Sequence, residues 1–158
     1  MKIAVIFLLL CTSVFARLGE TKDQLVARFG NPVNEGIDQM GSHGRNMAVG
    51  PELVFTQKDW IITCDLVDGR CARISYRKQG DWTEEQIQVV LAVNRQGGTW
   101  AKVAEQSGEI FRTWKRDDGA TAGWTDADGI SITTPAYLHA KAILEAKAKA
   151  ESSVIPNI

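Results

Sequence analysis

The stretch CDLVDGRC places Cys64 and Cys71 on either side of an Asp-Gly turn. Such a pair could be a disulfide, half of a metal site, or two unrelated residues of a hairpin. Zinc wants four thiolate or imidazole ligands, and no histidine lies near these two, so no metal is assigned. A disulfide needs Cβ atoms within about 4.5 Å of each other, hence on one face of the hairpin. The pairing register therefore decides whether this stretch carries chemistry.

Other residues have catalytic or ligating types without the surroundings the chemistry needs. Asp126-x-Asp128-Gly129 opens like a calcium loop, but the sequence that follows, ISITT, supplies no further carboxylate at the required spacing. Asp117 and Asp118 are adjacent at a hairpin tip and read as solvated turn residues. Ser42, His43 and Arg45 lie in a glycine-rich stretch, NEGIDQMGSHGRNMAVG, expected to be a loop. A nucleophile and its base must be assembled across a fold rather than along a chain. His43 acting on Cys71 is the one conceivable pair. His139 belongs to an alanine-rich helix and is expected to be exposed. No phosphate-cradling glycine loop, serine elbow or metal-binding helix motif occurs. No catalytic residue and no cofactor is assigned.

The elements that position these residues repeat. Thr21 and Gln24 form a capping-box pair before Leu25, Val26 and Phe29, and Gly30 and Pro32 end the run, predicting a helix over 22–29. Thr83 and Gln86 repeat the start signal before Ile87, Val90 and Leu91. Trp82 is expected to pack on Ile87 as a staple. Each helix is followed by an expected three-stranded meander: 52–57, 60–67 and 70–78, then 110–116, 120–126 and 130–134. Asp-Gly turns recur at Asp68-Gly69, Asp118-Gly119 and Asp128-Gly129. Thr134 and Pro135 start a third helix.

Register follows from the need to put apolar residues on one side. A two-residue turn at Asp68-Gly69 would set Ile62, Cys64 and Leu66 against the face of Ala72, Ile74 and Tyr76. A three-residue loop pairs Leu66 with Arg70, so that Cys64 faces Ala72, Ile62 faces Ile74 and Trp60 faces Tyr76. Three-residue loops in the second meander set Trp114 opposite Ala122 and Trp124 opposite Ile132, and a two-residue turn at Lys58-Asp59 puts Phe55 opposite Ile62. The buried face then gathers Leu53, Phe55, Trp60, Ile62, Cys64, Ala72, Ile74, Tyr76, Trp114, Ala122, Trp124, Ile130 and Ile132. In this register Cys71 points away from Cys64, and no disulfide is expected. The opposite face is threonine-rich and carries Arg73, Arg77, Phe111 and Lys115, a basic, partly aromatic patch and the candidate binding surface.

The chain opens MKIAVIFLLLCTSVFA, a pattern expected of a secretory signal over 1–16, cleaved near Ala16. Lipidation of Cys11 would want a small residue before it, and Leu10 stands there. With 18 basic and 19 acidic residues in 158, the charge balance gives no reason to expect nucleic-acid or membrane-surface binding. No later segment is apolar enough to span a membrane. The expected location is periplasmic or secreted.

GETKDQLVARFGNP resembles the opening motif of the SmpA/OmlA family of outer-membrane assembly lipoproteins, through Gly19, Thr21, Gln24, Leu25, Gly30 and Pro32. The resemblance implies helices packed on a three-stranded sheet. The doubled layout also resembles the beta-lactamase inhibitor protein family, built from two such units; no contact residue carries over from it. The expected fold is α+β: two helix-plus-three-stranded-meander units over 17–80 and 81–134, helices on one face, and a C-terminal helix and tail over 135–158. The expected function is non-catalytic binding of a protein partner in the cell envelope or outside the cell. The alternatives are an inhibitor of a secreted hydrolase, using loop 36–50, and a small hydrolase.

Overall fold

The computed structural model describes residues 17–42, 45–103 and 111–153. Its order is α1 (Lys22–Phe29), β1 (Asn34–Ser42), β2 (Arg45–Gln57), β3 (Trp60–Val67), β4 (Arg70–Lys78), α2 (Glu84–Val93), β5 (Trp100–Lys102), β6 (Phe111–Arg116), β7 (Thr121–Thr125), β8 (Gly129–Thr133) and α3 (Pro135–Ser153). The eight strands form a single antiparallel sheet in the order β1-β2-β3-β4-β8-β7-β6-β5. This α+β architecture overturns the expected three-stranded meanders. α1 and α2 are each followed by four strands, and the two sets meet where β4 pairs with β8.

The two missed strands lie at the sheet edges. β1 runs through the glycine-rich stretch whose composition predicts a loop over 36–50, because glycine is a poor strand former and carries no strand signal. Its backbone pairs with β2 along nearly its whole length. β5 has only three residues and pairs with β6 at Trp100↔Arg116. His43 lies outside the described residues.

Local signals explain the helices. Thr21 and Thr83 both close complete capping boxes, with Gln24 and Gln86 returning the bond to the cap backbone. Leu25 and Phe29 of α1, with Ile87, Val90 and Leu91 of α2, face the sheet and are buried. Phe29 meets Phe55 at 5.3 Å between ring centroids. Trp82 joins this core by an edge-on contact with Trp60 at 5.0 Å. α1 and α2 cover one face of the sheet. α3 lies on the other, where Tyr137 reaches Arg73, and touches β4, β3 and β2.

Register places the core. Phe55 pairs with Ile62 and Trp114 with Ala122, as expected. Trp124 pairs with Ile130 rather than Ile132, a shift of two residues that leaves its face unchanged. Every residue expected on the inner face is buried except Trp60, which is half-buried.

The β3–β4 hairpin departs from expectation. Asp68 (φ 50°) and Gly69 (φ 74°) make a two-residue turn, with Val67 opposite Arg70 and Leu66 opposite Cys71. A bulge at Ala72 then corrects the parity, so Asp65 meets Arg73, Cys64 meets Ile74 and Ile62 meets Tyr76. Leu66 and Cys71 thus join the inner face, 4% and 1% exposed. The expectation that Cys71 points outward is wrong. The physical reason is that an inserted residue lets a tight turn coexist with a one-sided core.

A polar belt ties the ends of this layer together. The buried Asn94 side chain accepts from Leu18 N and donates to Tyr76 Oη (2.9 Å) and Val90 O. Arg116, also buried, donates to both Asp118 oxygens, to Asn94 O (2.5 Å) and to Gln96 Oε1, and its guanidinium stacks on Trp100. Asp118 is therefore a partner of a buried cation rather than a purely solvated tip residue. Asp117 accepts from Thr99 N at 3.1 Å.

Candidate functional site: the outer face of the sheet

The outer face is built from alternate residues of β4, β8, β7 and β6, and strand pairing aligns them into rows. Arg73 pairs with Thr133, Thr133 with Thr121, and Thr121 with Lys115. Ser75, Ser131, Gly123 and Thr113 form the next row by the same pairings. Beyond it, Gly129 pairs with Thr125 and Thr125 with Phe111, and Gly129 packs against the Arg77 backbone. At about 4.8 Å per strand, Arg73 and Lys115 stand about 14 Å apart across four strands.

The rows explain the shape of the surface. The middle row has small side chains, with Ser75 Oγ donating to Ser131 Oγ at 3.1 Å and Gly123 leaving room for the Phe111 ring. Two hollows result, of about 430 Å³ over β6–β8 and about 320 Å³ over β2–β4 and β8. They share Asp128 and Ser131. The first is floored by threonines and walled by Phe111, Val103 and Lys115; the second is lined by Glu52, Ile61, Asp65, Arg73 and Arg77. Phe111 and Val103, beside the first hollow, are 55% and 45% exposed, and Ile61, beside the second, is 45% exposed.

The structure brings the four expected residues onto one face but gives them different jobs. Arg73 is committed to the fold: it reaches Asp65 Oδ2 at 3.3 Å and donates to Tyr137 Oη at 3.2 Å, with its guanidinium over the Tyr137 ring. Arg77 is exposed and approaches the equally exposed Asp128 at 3.8 Å, a distance at which solvent screens the pair heavily. Lys115 and Phe111 are exposed. The usable patch is therefore Arg77, Phe111 and Lys115 around a small-residue floor.

Sequence reasoning missed Tyr137, whose only signal was an aromatic residue in the first turn of an alanine-rich helix. It also read Asp128 purely as a turn residue. Asp128 does close its turn, with its N–H donating to Thr125 Oγ1 at 2.9 Å, and its carboxylate also borders both hollows. His139 is exposed on α3. Among the described residues, no cluster of three or more His, Cys, Asp or Glu could hold a metal ion, and no helix is long and apolar enough to cross a membrane.

The fold and face define a class in plain terms: an eight-stranded antiparallel sheet with α1 and α2 on one side, and on the other a mixed apolar and charged face that α3 crosses over β2–β4 and leaves open over β6–β8. No protein-family model, curated protein or solved structure matches this chain.

Proposed function

We propose that the protein is a non-catalytic binding module whose open sheet face docks a protein partner in the periplasm or outside the cell, the location that the signal-like residues 1–16 imply. The partner surface that fits is a loop presenting an apolar side chain beside a carboxylate. The apolar group would sit against Phe111 over the Gly123–Ser131 floor, and the carboxylate would meet Arg77 or Lys115. The observation that carries this reading is three exposed apolar side chains flanking two adjoining hollows, with exposed cations at their rims. Aromatic and arginine side chains are the residue types that dominate binding energy at protein interfaces. The resemblance to the SmpA/OmlA and beta-lactamase inhibitor protein families points in the same direction, towards an envelope or secreted module that works by contact.

The test is affinity capture from envelope and culture-supernatant fractions with the wild type, Phe111→Ala, and Arg77→Glu/Lys115→Glu. A partner lost with both variants and crosslinked to the 111–125 region supports the face. A partner set unchanged by both variants overturns it.

One observation favours the inhibitor reading as a second possibility. Only Glu52–Gln57 of β2 pair with β3 and Gly50 still lies against Leu66 O, so the β1–β2 hairpin extends beyond the neighbouring strand from Arg45 to Val49 as an arm. Replacing 38–49 by a short turn would then abolish inhibition of a secreted hydrolase while the thermal transition persists. Retained inhibition sinks that reading.

A further inference from the structure

Cys64 and Cys71 are two neighbouring sulfurs inside one packed layer. The bulge at Ala72 puts Cys71 opposite Leu66, two positions along the inner face from Cys64 opposite Ile74. Both side chains are buried, at 0% and 1% exposure, and both thiols are free. The backbone around Cys71 is clamped: Gly19 N donates to Cys71 O at 2.7 Å, and Cys71 N donates to Glu20 O at 2.8 Å. Cross-strand neighbours on a diagonal have Cβ atoms somewhat under 7–8 Å apart, and a bulge shifts the inserted strand locally. Both thiols face the same packed layer from adjacent strands, and Cys71 Sγ donates to Arg73 O at 3.3 Å.

We infer that Cys64 and Cys71 are a disulfide-forming pair, joined across the β3–β4 hairpin as the exported chain folds. The oxidant is a disulfide, carried by a thiol oxidoreductase or by a small molecule of the oxidised-glutathione type. One cysteine thiolate attacks a sulfur of that donor, giving a mixed disulfide and releasing one thiol. The second cysteine thiolate then attacks the first sulfur and releases the donor's second sulfur as a thiol. The cysteines lose two electrons and two protons, and the donor gains both.

Timing follows from burial. In the finished core neither sulfur can meet a donor, and the hydrogen bond to Cys64 and then burial hold the Cys71 thiol well above its ordinary pKa, which disfavours the attacking thiolate. The bond therefore forms before α1 and the 17–20 segment close over the hairpin, and it resists reduction afterwards. Joining the hairpin just outside its turn restricts the unfolded chain most where β3 and β4 must find their bulged register.

The test refolds the full chain from denaturant, once with a mixture of reduced and oxidised glutathione and once with reductant alone. Free thiols are then alkylated in denaturant, and the products are digested with trypsin. Cleavage after Arg70 separates Cys64 from Cys71, so the bond appears as peptide 59–70 linked to peptide 71–73 and lighter by two hydrogens. The expected result is that linked pair in the oxidised sample only, with a melting temperature about 5 °C above the reduced one. The Cys64→Ala/Cys71→Ala variant should show no such difference between the two conditions. Full alkylation of both cysteines after oxidative refolding overturns the inference, as does pairing of either with Cys11. The mass readout needs only the wild type, so a variant that fails to fold leaves the conclusion testable.

Discussion

The two halves of the sheet share one plan and fulfil it with different chemistry. In each, a threonine-capped helix precedes four antiparallel strands, and the fourth strands meet at the centre. In each, the last residue of the second strand reaches back to the end of that half's helix: Gln57 Nε2 donates to Phe29 O, and Arg116 Nη1 donates to Asn94 O. The first half closes this tie with a half-buried neutral amide. The second uses a buried guanidinium held by four hydrogen bonds and an aromatic face. Equivalent places in a doubled fold therefore carry unequal energetic weight.

The glycines after the last turn of each half break the comparison most sharply. Gly69 and Gly129 both have φ near +73°, and both follow an aspartate. A Cβ on Gly69 would meet nothing, whereas one on Gly129 would lie 2.1 Å from Tyr76 O and 3.1 Å from the Trp82 ring. Gly129 sits where β8 docks on β4, and Gly69 is at a free hairpin tip. Gly129→Ala should cost about 3 kcal/mol or more, through a backbone clash that cannot relax cheaply. Gly69→Ala should cost about 1–2 kcal/mol, the left-handed penalty alone. Equal losses in urea unfolding would show that the centre of the sheet is not tightly packed.

The strand-end ties come next. Arg116→Met strands the Asn94 carbonyl in the core and leaves Asp118 without its partner, an expected loss of about 3 kcal/mol. Gln57→Ala removes one neutral bond and should cost about 1 kcal/mol. If the two variants melted at the same temperature, the asymmetry between the halves would be gone.

Helix starts, most strand bounds and almost the whole inner face were legible in the sequence. Caps and face alternation are local signals, and Thr21, Gln24, Phe55 and Ile62 carry them within a few residues. What escaped depended on distant partners. β1 looks like a loop until β2 is present to pair with its glycine-rich backbone. β5 is three residues long and exists because β6 is beside it. The side taken by Cys71 hinged on one inserted residue, Ala72, whose bulge leaves no composition signal. Of the open face, Arg77, Phe111 and Lys115 were found by alternation. The diversion of Arg73 to Tyr137 was invisible, because it depends on where α3 crosses the sheet.

Titration separates the halves in opposite directions. Burial pushes the Tyr76 hydroxyl well above its ordinary 10.0, and the hydrogen bond to Cys64 and burial push the Cys71 thiol well above 9.0. Both groups are neutral in the fold and ionise more easily once unfolded. Their stabilising contribution is thus complete below the unfolded values and erodes as pH rises past them, by up to about 1.4 kcal/mol per pH unit per group. In the second half, the hydrogen bond from Arg116 is the main cause holding the Asp118 carboxyl below its ordinary 3.8. Its contribution is present above that value and is lost as pH falls through the lower folded one. Reduced protein should therefore weaken from about pH 9 upward, and protein with the two cysteines joined only from about pH 10. Tyr76→Phe should remove the later alkaline phase, and Asp118→Asn should flatten the acid limb. Melting temperatures across pH that ignore all these changes would remove the electrostatic distinction.

The smallest difference should appear at the helix starts, where the halves are alike. Thr21 and Thr83 have the same extended backbone, and each accepts from the N–H of the glutamine three residues on, at 3.4 and 3.2 Å. Both boxes are solvent-accessible, so neither alanine variant leaves a buried orphan donor. Thr21→Ala and Thr83→Ala should each cost about 1 kcal/mol and match within a few tenths. There is one local difference. Thr21 also bridges to Arg70, beside the clamp on Cys71, whereas among the described residues no such bridge ties Thr83 to a strand. An excess loss at Thr21 that disappears once Cys64 and Cys71 are joined would place the extra cost in the closure of the N-terminal segment over the β3–β4 hairpin, since the joined hairpin would hold its register without that segment.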